Sequence, residues 1–197
     1  MDQLTRTQYD WQLKHIDKSV PIIGAILGQK YIKPSSAYQD KHHAMDLILY
    51  GETGAIAHRI RKSDALPWWP NFTIRAWLAS GARTEMNKLL EEEHVTYGFY
   101  AILSVDESTI THFLMYDMVL FRKFFRELPL RFNVVDLELF LQSKGMFVSE
   151  VKKNKDDCTG FVSFDADELN KVMPGIITAR KRSEKQRRLG VDRKLAI

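Results

Sequence analysis

A mixed α/β protein, with a central mixed sheet flanked by helices and a small C-terminal elaboration, is the fold class this sequence predicts. Three observations lead there. Apolar residues recur at helical spacing over Tyr9 to Ile32. They then alternate at strand spacing in three runs between Asp46 and Leu78. A helix and two further strands follow, so the order is helix, three strands, helix, strands.

The first segment carries Trp11, Ile16, Ile22, Ile23, Ile26, Leu27 and Tyr31. Pro21 suits the first turn of a second helix, with Ser19 as its cap. Lys33-Pro34-Ser35-Ser36 breaks that helix. Strands are expected over Asp46–Tyr50, Ala55–Lys62 and Phe72–Leu78, the last two separated by the loop around Pro67-Trp68-Trp69-Pro70. Thr84 can cap a helix over Glu85–Glu93 whose apolar side is Met86, Leu89 and Leu90. Val95–Val105 is aromatic and β-branched, and Thr109–Tyr116 reads as its antiparallel neighbour across the turn at Asp106. A helix is expected over Asp117–Glu127. Short elements follow over Phe132–Phe140 and Met146–Lys152, then a strand over Phe161–Phe164 and a helix from Asp167. These divide the chain into 1–127 (helical N-terminus and α/β core), 128–179 (a hairpin and helix packed on it) and 180–197 (a flexible basic tail).

The 197 residues are enough for one sizeable core, and 45% hydrophobic with 27% charged is ordinary globular composition. The single Cys158 excludes an intramolecular disulfide framework and a multi-cysteine zinc site, which suits a reducing compartment. No run approaches the ~20 apolar residues of a spanning helix. The opening MDQLTRTQYDW lacks a signal-peptide pattern, so a soluble cytoplasmic protein is expected. The net charge of +4 is uneven. Arg180 to Lys194 holds eight Lys/Arg against Glu184 and Asp192, which leaves −2 on the rest of the chain. That tail, with Arg180, Lys181, Arg182, Arg187 and Arg188, can attract phosphate without regard to sequence; a solvated tail with no partner is the other reading.

Met45 to Lys62, MDLILYGETGAIAHRIRK, reads as a hairpin around Gly51-Glu52-Thr53-Gly54. That loop pairs Tyr50 with Ala55, Ile48 with Ala57 and Asp46 with Arg59, and puts Asp46, Ile48, Ala57 and Arg59 on one face. An acid and a base then stand opposite each other. Here the stretch resembles the PD-(D/E)XK nuclease superfamily, over roughly Ile16 to Phe121. The resemblance implies a restriction-endonuclease-like core of helix, three strands, helix and strand. It also implies a metal-binding Asp on one strand and Glu-Xaa-Lys on the next, with Mg2+-dependent hydrolysis of phosphodiesters. Asp46 matches the metal-binding Asp and Arg59 the Lys, while the Glu position falls on Ala57. Glu85 and Lys88, one turn apart on the next helix, can supply the absent carboxylate and lysine. Asp46 and Glu85 are then the metal ligands, and Asp46, Glu85, Lys88 and Arg59 the catalytic set. Arg61, Arg75 and Arg83 lie near in sequence, and guanidinium forks match phosphate oxygens. The plain alternative is a cross-strand ion pair worth about 0–1 kcal/mol and a helix-surface pair.

Other residues suggest less. His42 and His43, read on a strand, point opposite ways, and no histidine spacing suits zinc. Cys158 has no neighbouring histidine, Asp156-Asp157 lacks calcium-loop spacing, and no phosphate-loop pattern occurs. Pro67-Trp68-Trp69-Pro70 either stacks on bases or closes one end of the sheet. Two functions from different classes follow. One is a nucleic-acid-binding protein, DNA or RNA, with Mg2+-dependent phosphodiesterase chemistry. The alternative is a catalytically inactive protein-interaction module, such as a phage or mobile-element inhibitor or an assembly subunit. The near-neutral charge outside the tail favours the alternative.

Overall fold

The computed structural model describes residues 3–29, 31–49, 54–64, 71–129, 132–146, 149–153 and 159–181. Two helices come first, α1 (Gln3–Ile16) and α2 (Val20–Leu27). Pro21 falls in the first turn of α2, where the N–H it lacks has no intrahelical partner to lose. Gly28 ends the helix in the left-handed region at φ 67°. Ser19 holds the cap position without a side-chain cap bond; its hydroxyl instead meets His58 Nε2 at 2.8 Å. Two short elements then stand where the sequence suggests only a helix break: strand β1 (Ile32–Pro34) and helix α3 (Ala37–His43). Ser36 and Gln39 form a capping box that opens α3. His42 and His43 are therefore on a helix, not on the expected strand.

The next elements follow the expected order: β2 (Leu47–Leu49), β3 (Gly54–Arg61), β4 (Asn71–Leu78), α4 (Glu85–Glu91), β5 (Val95–Leu103) and β6 (Ile110–Asp117). Then come α5 (Met118–Phe124), which ends in a 3₁₀ turn (Phe125–Glu127), α6 (Val134–Ser143), β7 (Ser149–Lys153), β8 (Thr159–Asp165), α7 (Ala166–Val172) and β9 (Ile177–Lys181). Asp117 and Asp165 cap α5 and α7, each accepting two backbone N–H bonds. Arg180 and Lys181, expected at the start of a free tail, lie in β9.

The main sheet has six strands in the order β1-β2-β3-β5-β6-β9. The β3–β5 pair is parallel and every other pair antiparallel, so the sheet is mixed. A parallel pair needs a crossover, which here runs through β4 and α4. β4 leaves the main sheet and joins a second, three-stranded antiparallel sheet in the order β4-β8-β7.

Both faces of the main sheet are covered, and its central strands are buried along most of their length. On one face Ile56, Ile60, Phe99, Ala101 and Met115 pack beneath Ile16 of α1 and Ile23 of α2. On the other, Ala57, Tyr100, Ile102, Leu114 and Tyr116 meet Phe72 and Ile74 of β4 and Val162 and Phe164 of β8. Met86, Phe121, Leu137 and Leu169, from α4 to α7, complete that second core. The protein is thus a mixed α/β fold with its central sheet flanked by helices. Among the described residues no helix is long and apolar enough to cross a membrane.

Candidate functional site

The β2–β3 pairing differs from the expected one. Leu47 faces Ile56, Ile48 faces Ala55 and Leu49 faces Gly54, a displacement of two residues. The physical reason lies at Gly54, which belongs to the strand and not to the turn. It lies so close to β5 that a Cβ there would come within 2.8 Å of Thr96 Oγ1. Residues 50–53, most of the expected turn, fall outside the described residues. An even displacement leaves every side chain on its expected face. Asp46 therefore still shares a face with Ala57 and Arg59, but it stands level with Ala57 and not opposite Arg59. Its N–H donates to the Ile56 carbonyl at 3.0 Å, and its Oδ2 accepts the His58 N–H at 2.6 Å.

Arg59 finds its partners across the gap between the two sheets. Its Nη2 pairs with Glu85 Oε2 at 2.5 Å, and its Nη1 donates to the Thr73 carbonyl at 3.0 Å. Glu85 Oε2 also accepts the Arg75 N–H at 3.2 Å. The pair thereby satisfies two backbone groups of β4, and it ties β3 to the second sheet. Glu85 is placed by its position as the first residue of α4, where Thr84 and Asn87 form a capping box. Burial alone would pull the Arg59 guanidinium down; Glu85, then Tyr100, Tyr116 and Asp46, more than reverse this and hold it above its usual value.

Asp46 sits in a different balance. Burial, then the charge of Asp40, push its carboxyl well above the ordinary range, and Glu85 adds to the push. The His58 N–H opposes them. The Asp40 side chain adds to the same push at closer range. Lys88, three residues after Glu85 on α4, is half-buried; its ammonium is lowered by burial, raised by Asp40 and Glu85, and lowered again by Arg83 and Arg75.

The fold thus brings together Asp46, Arg59, Glu85 and Lys88, and adds Asp40, Tyr100 and Tyr116. Asp40 had one local signal, the Ser36-to-Gln39 spacing of a capping box ahead of it. The basic residues scatter by comparison. Arg75 borders the site through its backbone, and Arg61 is exposed at the end of β3. Arg83 pairs with Glu91 and Glu92, and Arg180 pairs with Asp167 at 2.5 Å. Lys181 is exposed in β9, whereas Arg182, Arg187 and Arg188 fall outside the described residues, as do Pro67-Trp68-Trp69-Pro70, Asp156-Asp157 and Cys158.

His58 points to the opposite face, stacked on Phe99 at 5.7 Å, and burial lowers it to about 3, so it is a neutral packing residue. Among the described residues no three His, Cys, Asp or Glu side chains converge to hold an ion. The carboxylates stand instead as Asp40 beside Asp46 and, separately, Glu85 on Arg59. Oxygen donors of this kind suit a hard divalent cation. No known protein family, curated protein or solved structure matches the chain.

Proposed function

We propose that this protein binds nucleic acid through a PD-(D/E)XK-like core and hydrolyses phosphodiesters with Mg2+, using Asp46 and Glu85 as carboxylates and Lys88 and Arg59 as the cationic side of the site. The observation that carries the reading is the Arg59–Glu85 pair between β3 and α4, with Lys88 one turn along α4 and Asp46, just before β2, on the same face of the hairpin as Arg59. Chain order supports it. α2, the antiparallel run β1–β2–β3, α4, and β5 parallel to β3 follow the order helix, three strands, helix, strand that such a core would have, apart from α3 between β1 and β2 and β4 before the second helix.

Ala57 cannot ligate a cation, and Asp40 stands in as the further carboxylate beside Asp46. When bound, Mg2+ would polarise the phosphate and lower the pKa of an attacking water. Lys88, an ammonium weakened by burial, would orient the water and offset charge on the phosphorane. Arg59 holds Glu85 in place, Arg75 borders the site through its backbone, and Arg61 is exposed at the end of β3 for the nucleic-acid backbone.

The test is cleavage of single- and double-stranded DNA and RNA with Mg2+ or Mn2+. It compares wild type, Asp46→Ala, Glu85→Gln and a chain ended after Lys181. Both point variants are expected to lose activity at least about 100-fold, while the shortened chain keeps it. Unchanged activity in both point variants would sink the assignment. Absence of cleavage in the wild type, with nucleic-acid binding lost on shortening, favours the inactive interaction module, since only the tail was then acting.

A further inference from the structure

Helix α1 packs on the face of the main sheet that carries His58 and Ile60, away from Arg59. Trp11 and His15 stand one turn apart on it, and both meet a single carboxylate in the turn between β5 and β6. Glu107 Oε2 accepts the Trp11 Nε1–H at 3.2 Å and lies 3.1 Å from His15 Nε2. Its Oε1 pairs with Lys62, just past β3, at 3.3 Å, and the Lys62 ammonium sits over the Trp11 ring at 5.4 Å. Lys18 Nζ donates to the Ser108 carbonyl of the same turn at 3.0 Å. Glu107 itself is held at φ 57°, the left-handed region that glutamate rarely adopts. The turn imposes that backbone without help from α1: Asp106 accepts from the Ser108 N–H and from the Ser104 and Ser108 hydroxyls, and the Glu107 N–H donates to the Ser104 carbonyl at 2.9 Å.

The contact is incompletely made. His15 is 4% exposed, and its Nδ1 is buried with no hydrogen-bond partner among the described residues. One imidazole nitrogen gains a bond on docking while the other gives up water, so the two largely offset. The Lys62 side chain is 59% exposed, where water weakens its pairing. Helix α2 is fixed independently, by the fully buried Ile23 and by the Ser19 hydroxyl on His58 Nε2 at 2.8 Å. Only the short turn at Asp17 and Lys18 separates that anchor from the end of α1.

We propose that α1 is a strap, latched to the β5–β6 turn by Glu107 and hinged at Asp17 and Lys18. It lifts away while α2 and the main sheet stay folded, and uncovers the apolar surface beneath Trp11 and Ile16. A helix of 14 residues is marginal by itself in water, so the released segment also loses its helix. The opening is on the far face of the sheet from Arg59 and Glu85, and it is independent of phosphodiester cleavage and of any cation.

Hydrogen exchange of the full chain, followed residue by residue through increasing urea, tests it. In wild type the amides of Trp11 to Ile16 are expected to exchange through an opening that is insensitive to low urea and at least about tenfold more frequent than that of β5 and β6. Glu107→Gly suits the left-handed backbone and removes only the latch. It is expected to speed exchange in α1 by about tenfold, with β5 and β6 within about twofold and Tm within about 3 °C of wild type. Glu107→Gln keeps an acceptor for Trp11 and should fall between the two. Wild-type α1 amides that exchange together with those of β5 and β6 would overturn the strap. So would α1 exchange unchanged in Glu107→Gly, or a rise in α1, β5 and β6 alike, since the contact would then be one more part of the general stability.

Discussion

Asp46 carries a cost that its surroundings make readable from outside. An unfolded carboxyl titrates near 3.8, while in the folded chain burial and Asp40 hold it well higher. Between the two values the folded state keeps a proton that the unfolded state has lost, so stability falls as pH rises through that window. Asn at this position can still accept the His58 N–H and has nothing to titrate. Asp46→Asn is therefore expected to be more stable than wild type at pH 7, by roughly 2–4 °C in Tm. The gap should close as pH falls toward 4, and thermal melts across that range check it. A variant that gains stability while losing cleavage is what a strained functional acid produces. His58, a few ångströms of backbone away, has the opposite sign: burial keeps it neutral to about 3. Its contribution is lost as pH falls below its unfolded value near 6.5.

Helix α4 sets where Glu85 and Lys88 stand, and its first turn depends on Thr84 and Asn87. Thr84→Ala removes the cap and is expected to cost about 1 kcal/mol, or roughly 2–4 °C in Tm. Thr84→Ser should restore it, and melts of the two variants decide. This helix was legible in the sequence because everything that starts it is local: a capping threonine, an acid in the first turn, and apolar residues at helical spacing. The same holds for β5 and β6, whose turn is short and whose residues favour strands. Asp40 was not legible, because α3 is seven residues long and Tyr38 to His43 show no apolar period. The hairpin face was legible but its pairing was not, since that depended on how closely Gly54 approaches Thr96 on a distant strand. Nor could alternation show that β4 would leave the main sheet: a period of two identifies a strand but not its partner. The contact of Glu107 with Trp11 and His15 is of the same non-local kind.

At the scale of the molecule, the site lies where two sheets meet, and the chain closes its main sheet last. β9 pairs with β6 from Phe113↔Lys181 to Tyr116↔Ile177, so the final described strand protects one edge of the six-stranded sheet. The sequence assigns Arg180 and Lys181, the last two residues of β9, to the tail because they look solvated, yet charge is a common feature of edge strands. The same pairing holds the strand that carries Tyr116. A chain cut short after Ile176 would leave the backbone of β6 open along Phe113 to Tyr116, a row of unmet donors and acceptors ready to recruit another copy. Such a chain is expected in the insoluble fraction at a temperature where the chain ended after Lys181 stays soluble, as sedimentation of the two would show. During synthesis the nascent protein passes through the same vulnerable state. Nearly all of the apolar interior exists before the strand that shields its edge has been made, so the interval between making β6 and making β9 is when this protein is most exposed to misassembly.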